Sequence, residues 1–279
     1  MLISVTYVSG AGNTFTLVRE RRRRLPLSVW RRLARQLCQW TDGLLLVEQP
    51  DANGRIPVHY FNPDGSTGML CGNGARCAAA VAMDQQQASV RLLSAGQEIE
   101  ATATEKGIRL RLGPPPVPPR ALSVELPEKT LHLWFVDTGS PHVVLPLSEL
   151  TATSAGESLE SVDMEALGRQ LRYHPRFAPA GVNVSVYAPA EGGKLRVRTY
   201  ERGVERETQA CGTAAIAVAL TAWLRGEVLP PVELIPRSRA PLVVDWEGES
   251  VEQLRAVFLE GSVQVLGKDT IEVSLEEEE

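Results

Sequence analysis

Residues 71–82 read CGNGARCAAAVA and residues 211–222 read CGTAAIAVALTA, and these two stretches decide the fold. Each follows a predicted strand and a polar loop, opens on Cys-Gly, and continues into a run rich in alanine. Their first residues, Cys71 and Cys211, are 140 positions apart, half of the 279-residue chain. Self-similarity on this scale indicates two copies of one unit rather than a solenoid, whose repeats are shorter.

Strand patterns surround each alanine-rich stretch in a similar order. Alternating apolar residues predict strands on both sides, and each alanine-rich stretch is expected to be a buried helix wrapped by a mixed, mostly antiparallel sheet. Further helices are predicted from Ser28, as the cap, to Cys38 and from about Val162 to Leu171. The fold class is therefore α/β of the α+β type, with two pseudo-symmetric domains.

The proline-rich segment 113–119, GPPPVPP, lies near the middle of the chain. Such a segment cannot continue a helix or a central strand, so it predicts a stiff, extended connector. We expect an N-terminal domain at 1–119 and a C-terminal domain at 120–262.

The composition is that of a soluble globular protein, with 43% hydrophobic and 23% charged residues, which excludes disordered and fibrous chains. Apolar stretches are too short to span a bilayer, and the N-terminus lacks a signal-peptide pattern. We therefore expect a cytoplasmic protein without a membrane partner. Four cysteines are too few for a disulfide scaffold.

Two runs of charge interrupt this pattern. Eight arginines lie between Arg19 and Arg35, but aromatic residues for base stacking do not alternate with them, since Trp30 is the only one, and the net charge is −5. We interpret this run as a solvated loop and helix face and expect no nucleic-acid partner. The acidic run at 276–279 is expected to be a frayed tail.

A cysteine at the start of a helix is suited to acid–base chemistry. The helix end carries about half a positive charge, which favours the thiolate and lowers its pKa. The backbone N–H groups of the next residues have no intrahelical acceptor, so the same end can hold a carboxylate. A matched pair of such cysteines, one as thiolate and one as thiol, could remove and replace the proton of an amino-acid α-carbon.

Both cysteines could instead be small buried residues of an apolar core. A thiol hydrolase that uses one cysteine with His142 is a second alternative, although it leaves the other cysteine without a role. A zinc protein is the weakest idea, because the chain has no Cys-x-x-Cys and its histidines are scattered. Cys38 and Cys77 are interpreted as structural.

The chain resembles the diaminopimelate epimerases along nearly its whole length. The motifs that carry the resemblance are Gly12-Asn13 with Phe15, Asp42-Gly43-Leu44-Leu45, residues 62–66 (NPDGS), residues 71–77 (CGNGARC), Pro141-His142, Asn183, residues 198–203 (RTYERG), Glu207-Thr208 and residues 210–213 (ACGT). The resemblance implies a cofactor-independent, two-base interconversion of LL- and meso-diaminopimelate for lysine and peptidoglycan synthesis, with no metal and no pyridoxal phosphate. It also implies a homodimer and a C-terminal strand, 263–279, that returns to the first domain.

The resemblance assigns the site residue by residue. Cys71 and Cys211 would be the catalytic acid–base pair. The reacting carboxylate would be bound by residues at the two helix starts, namely Gly72, Asn73, Gly212 and Thr213. The other substrate groups would be held by Asn13, Asn62, Asn183, Glu201 and Arg202, with Arg202 on the distal carboxylate. Two of the matching residues, His142 and Glu201, would tune the thiols.

The chain departs from the family pattern at several positions. Thr14 replaces an Asp, Ser140 replaces the Asn before Pro-His, and Ala214 replaces a Gly. Trp40-Thr41 replaces a Gly-Ala-like pair, and the segment from Glu201 to Cys211 is one residue longer than usual. Because Ser140 is shorter than Asn, a related racemase acting on histidine or hydroxyproline stays open as an alternative. Without the resemblance, Asn62 and Asn183 could be turn residues, and Glu201 and Arg202 could form a surface ion pair.

Overall fold

The structure is a computed structural model that describes residues 1–20, 25–67, 72–83, 88–150 and 158–275. Three of the sequence features above lie outside these residues: Cys71, part of the arginine run (21–24) and the acidic tail (276–279). The chain divides into two compact units, Met1–Arg111 with Glu260–Glu279, and Leu112–Leu259. The domain boundaries at 119 and 262 remain predictions. No helix among the described residues is both long enough and apolar enough to cross a membrane.

Strands dominate the described chain. They are, in chain order, β1 (Leu2–Gly10), β2 (Asn13–Arg19), β3 (Gly43–Val47), β4 (Arg55–Phe61), β5 (Ser89–Ser94), β6 (Gln97–Thr104), β7 (Gly107–Leu112), β8 (Arg120–Glu125), β9 (Thr130–Asp137), β10 (Pro141–Pro146), β11 (Asn183–Pro189), β12 (Leu195–Glu201), β13 (Arg206–Glu207), β14 (Val232–Ile235), β15 (Leu242–Glu247), β16 (Ala256–Gly261) and β17 (Val263–Glu272). The α-helices are α1 (Leu27–Leu37), α2 (Gly72–Ala82), α3 (Met164–Arg172) and α4 (Gly212–Leu224). Short 3-10 turns lie at Leu147–Glu149, Leu159–Ser161, Pro175–Phe177, Glu191–Gly193 and Val251–Gln253.

In the first unit, the sheet wraps around α2. Helix α2 packs against β1 to β6 and β17, and it is buried along most of its length because small alanines let the strands approach closely. The outer face of the sheet is covered by α1, whose Trp30, Leu33 and Leu37 join one apolar cluster with Leu44 and Phe61. Strand β17 pairs with β1 along its length.

The second unit repeats this arrangement around α4. That helix packs against strands β9 to β12, β14 and β15, and ten of its residues are buried. Helix α3 covers the outer face, where Leu167 and Leu171 pack with Val184 and Tyr200. The buried helix therefore has an apolar surface all round, as its alanine-rich sequence predicts.

The strand pairings follow the same order in both units. From β1 to β6 they run antiparallel, parallel, antiparallel, parallel, antiparallel. From β9 through β10, β11, β12 and β14 to β15 the same five types recur in the same order. In each unit the first parallel connection contains the covering helix and the second contains the buried helix. This order confirms the internal repeat that the two cysteine motifs indicate.

Two local predictions are corrected, and one strand is additional to those predicted. Helix α1 is not capped by Ser28, because it begins at Leu27 with Pro26 at the N-cap and no side-chain capping bond. Helix α3 begins at Met164 rather than Val162, since the Asp163 carboxylate caps it by accepting the Ala166 N–H. Strand β8 was not predicted, because it buries only Val124 and so lacks a clear apolar alternation.

Candidate active site

One edge of the second unit's sheet gathers most of its predicted site residues. Parallel strands β10 and β11 begin there, and His142 is the register partner of Asn183. Strand β12 runs the other way and ends there at Glu201, with Arg202 next. The topology, not sequence proximity, therefore brings these four residues and Ser140 to one edge.

The Asn183 side chain is the centre of this edge. It is 3% exposed. Its amide nitrogen donates to Ser140 Oγ at 2.9 Å and to the Pro141 carbonyl at 3.1 Å, and its oxygen accepts the Arg202 backbone N–H at 2.8 Å. Both amide hydrogens and the oxygen are thus engaged within the protein. Asn183 is more than a turn residue, because it ties three separate segments together.

His142 is a buried, neutral imidazole. It is 0% exposed, and burial, helped by the positive charge of Arg202, lowers its pKa to about 3. Its Nε2 lies 3.4 Å from the Asn183 amide nitrogen, and its Nδ1 has no hydrogen-bond partner among the described residues. A cysteine–histidine ion pair needs an imidazole that accepts a proton near neutral pH. The thiol hydrolase alternative is therefore disfavoured.

Arg202 is the cation of this edge that lacks a carboxylate partner among the described residues. Its Nη1 donates to the Ala180 carbonyl at 3.3 Å, and Arg172 Nη1 approaches the same oxygen at 3.4 Å. Arg172, in contrast, pairs with Glu205 at 3.0 Å. The alternative of a surface ion pair between Glu201 and Arg202 is not supported, because the contacts of Arg202 among the described residues include no carboxylate. The Arg202 guanidinium can therefore bind an anionic ligand.

Cys211 occupies the N-cap of α4. Its side chain is nearly buried and does not cap the helix; its Sγ lies 3.3 Å from Thr213 Oγ1. The first bond of the helix runs from the Ala215 N–H to the Cys211 carbonyl at 3.0 Å. The N–H groups of Gly212 and Thr213 therefore have no intrahelical acceptor, and they lie beside the thiol. Ala214, which replaces a glycine of the family pattern, is buried within the first turn.

A buried carboxylate anchors the segment that leads into Cys211. Glu207 is 4% exposed in its side chain and accepts two parallel hydrogen bonds from Arg198, at 2.7 and 2.8 Å. Arg237 adds a third at 2.6 Å. Because the Thr208 N–H also donates to the strand β12 carbonyl of residue 199, the segment before Cys211 is fixed to the sheet. Its rigidity places the thiol at the helix start.

In the first unit, Asn73 links α2 to the start of β2. It is 1% exposed. Its amide nitrogen donates to Asn13 Oδ1 at 2.5 Å, and its oxygen accepts from Arg76 Nη2 at 2.8 Å. The predicted substrate residues Asn13 and Asn73 are thus brought together, with the fully buried Arg76 behind them. Gly72 precedes Asn73 as the first residue of the helix.

Asn62 follows the end of β4 in a tight turn. Its amide nitrogen donates to Ser66 Oγ at 2.8 Å, and its backbone carbonyl accepts from the Gly65 N–H. These contacts match the interpretation of Asn62 as a turn residue, and they do not involve its side-chain oxygen. Thr14 donates through both its N–H and its hydroxyl to Asp42, so the replacement of Asp at this position creates a donor.

Sequence reasoning assigned no role to Arg76 or Glu205. Arg76 is the only charged residue in the first alanine-rich stretch. Because that stretch is predicted to be a buried helix, its arginine could have been recognised as a buried charge. Glu205 gave no such signal, since its ion-pair partner, Arg172, is distant in the sequence. The described residues contain no cluster of three or more His, Cys, Asp or Glu side chains placed to hold a metal ion.

Comparison with known proteins gives a family match over most of the chain. A sequence profile described as diaminopimelate epimerase matches residues 5–117 and 134–266. The diaminopimelate epimerase of Aquifex aeolicus (strain VF5) is 35% identical over 273 residues, which cover 92% of this chain and 93% of that relative.

Solved structures show the same fold at low identity. A PhzF-family phenazine biosynthesis protein from Enterococcus faecalis has a TM-score of 0.72 at 16% identity and covers 98% of this chain and 100% of that chain. A probable proline racemase from Agrobacterium radiobacter K84, with bound carbonate, has a TM-score of 0.71 at 17% identity, covering 98% of this chain and 93% of that chain. The predicted mixed α+β fold is confirmed.

Proposed function

The chain belongs to the diaminopimelate epimerase family, and we propose that it interconverts LL- and meso-2,6-diaminopimelate in lysine and peptidoglycan precursor synthesis. The reaction is a cofactor-independent isomerisation at one α-carbon. The observation that carries the proposal is Cys211 at the N-cap of α4, beside N–H groups that have no intrahelical acceptor.

Cys71 and Cys211 act as the acid–base pair. The thiolate of one takes the α-proton, and the thiol of the other gives its proton to the opposite face of the resulting carbanion. In the reverse direction the two cysteines exchange the roles of base and acid. The developing negative charge spreads onto the α-carboxylate, where the helix-start N–H groups of Gly72, Asn73, Gly212 and Thr213 stabilise it.

The remaining predicted residues recognise the substrate. Arg202 binds the distal carboxylate in a planar fork, supported by its lack of a carboxylate partner among the described residues. Asn13, Asn62, Asn183 and Glu201 hold the amino and carboxylate groups. His142 tunes the thiols as a neutral group, because its pKa of about 3 excludes an imidazolium at neutral pH.

The test follows α-proton exchange and epimerisation of LL-diaminopimelate in deuterated water. Wild type incorporates deuterium, whereas Cys71→Ser and Cys211→Ser each lower epimerisation by at least about a hundredfold, because general acid–base catalysis contributes on that scale. Cys38→Ala is the matched control: burial raises the pKa of Cys38 to about 11, so this thiol stays protonated and the variant retains activity. No deuteration of diaminopimelate by wild type contradicts the proposal.

A racemase acting on histidine or hydroxyproline is the second candidate, favoured by Ser140 in place of Asn. The same assay with L-histidine and trans-4-hydroxy-L-proline separates the two. Deuteration of either one, together with none of diaminopimelate, establishes the alternative.

We also propose a homodimer in the cytoplasm, both carried over from the family resemblance. The exposed Val265 and Leu266 on β17, 58% and 49% exposed, are apolar residues that a second copy could cover. Light scattering of the purified protein tests the dimer, and a mass of one chain contradicts it. Fractionation of cells of the source organism tests the location.

A further inference from the structure

The hairpin that carries Arg202 contains a strained residue. Glu201 and Arg206 pair across β12 and β13, and residues 202–205 connect them. Glu205 has a φ of +57°, in the left-handed region that a non-glycine residue rarely adopts. Its N–H donates to the Glu201 carbonyl at 2.8 Å, which closes the turn. Such a conformation persists when surrounding contacts fix it.

The contacts that fix it are made by the Glu205 carboxylate. One oxygen accepts the Gly203 N–H at 2.9 Å and Arg172 Nε at 3.0 Å. The other accepts the Tyr200 hydroxyl at 3.3 Å. One side chain therefore holds the turn to itself, to α3 and to the core of the second unit.

The ion pair between Glu205 and Arg172 also affects the distribution of charge around Arg202. Arg172 and Arg202 approach the same Ala180 carbonyl oxygen, at 3.4 and 3.3 Å. Glu205 neutralises Arg172 by the ion pair, so Arg202 remains the cation without a carboxylate partner there. Its backbone is fixed at the same time, because its N–H donates to Asn183 Oδ1 at 2.8 Å.

We propose that Glu205 is the positioning residue that makes Arg202 specific for the distal carboxylate of the substrate. It orders the turn that presents Arg202 and keeps Arg172 occupied, so that one guanidinium and not two faces the ligand. The inference rests on the proposed function, because it needs a substrate with a second carboxylate.

The experiment measures kcat and KM for diaminopimelate in three variants. Glu205→Gly removes the carboxylate but suits the left-handed φ, so the backbone is relieved rather than strained. Glu205→Gln keeps an oxygen for the Gly203 N–H but not the charge. Glu227→Gln is the matched control, because Glu227 also accepts from an arginine, Arg225, and from a tyrosine hydroxyl.

We expect Glu205→Gly to raise KM about tenfold and Glu205→Gln about threefold, both with kcat within about twofold, because binding is lost equally from the substrate and the transition state. The control keeps both constants. Measurements are repeated in about 1 M salt, where the Debye length is about 3 Å. The effect of the changed net charge on KM is screened at this salt concentration. The rise in KM that remains there reports the loss of the ordered turn.

The inference is overturned if KM of Glu205→Gly stays within about twofold of wild type, or if the control shows the same rise in KM. It is also overturned if kcat falls and KM does not move, since general loss of structure then explains the effect. Wild type that does not turn over diaminopimelate is a different result, because it refutes the proposed function and with it the premise of this inference.

Discussion

Lowering the pH from 7 to 5 is expected to reduce the free energy of unfolding by about 2 kcal/mol through one side chain, His142. The imidazole is 0% exposed, and burial, with the nearby positive charge of Arg202, lowers its pKa from 6.5 to about 3. The folded chain therefore keeps His142 neutral at both pH values.

The magnitude follows from the unfolded chain, where the imidazole titrates with its ordinary pKa of 6.5. At pH 5, protonation of the imidazole increases the population of the unfolded state relative to the folded state by a factor of about 30, and RT ln 30 is about 2 kcal/mol. At pH 7 the same gain is only about 0.2 kcal/mol. Stability from the neutral imidazole is thus fully present above the unfolded pKa and is lost progressively as the pH falls from about 6.5 towards about 3.

Urea unfolding of wild type and His142→Gln at pH 7 and pH 5 isolates this effect. Carboxylates titrate in both proteins, so their contribution cancels in the difference between the two pH dependences. Wild type should lose about 2 kcal/mol more than the variant between the two pH values. Equal losses would refute a neutral, buried His142, and so would a steeper loss in the variant.

Two further predictions concern packing around the site. Glu207→Gln should lower the free energy of unfolding by about 3 kcal/mol, because it breaks a buried pair with Arg198. Urea unfolding measures this change, and a loss of about 0.5 kcal/mol or less, as for a surface substitution, would contradict the prediction. Gly168→Ala should cost about 1–3 kcal/mol despite alanine's helix preference, since a Cβ there would lie 2.3 Å from the Tyr200 ring. Gly267→Ala, with nothing within 4 Å, is the control, and equal melting temperatures for the two variants would contradict the packing argument.

The fold could be predicted from the sequence because its signals are local. The stretches that became α2 and α4 are rich in alanine and other apolar residues, and a helix that is apolar on all sides is expected to be buried. The corrections come where a local signal was ambiguous. Pro26 starts α1 because its fixed φ suits a helix start, although Ser28 is the better capping residue in isolation.

The site could be predicted only in part. Cys211 was expected at a helix start from the motif alone, and α4 begins directly after it. The contacts of Asn183 depend on strands β10 and β12 meeting β11, so no local pattern could indicate them. The resemblance to the epimerase family is confirmed, whereas the roles of the individual site residues stay predictions.

Ser140 shows why recognition needs the structure as well as the motif. Its oxygen accepts a hydrogen bond from Asn183, as the oxygen of an asparagine at this position also could. The serine hydroxyl still has its own proton, which it can donate to a carboxylate. It does not extend as far from the backbone as the side chain of an asparagine would. The shorter side chain therefore changes the reach of this contact rather than its polarity. Arg202 favours a substrate with a second carboxylate, whereas the shorter reach of Ser140 is the feature that keeps the racemase alternative open.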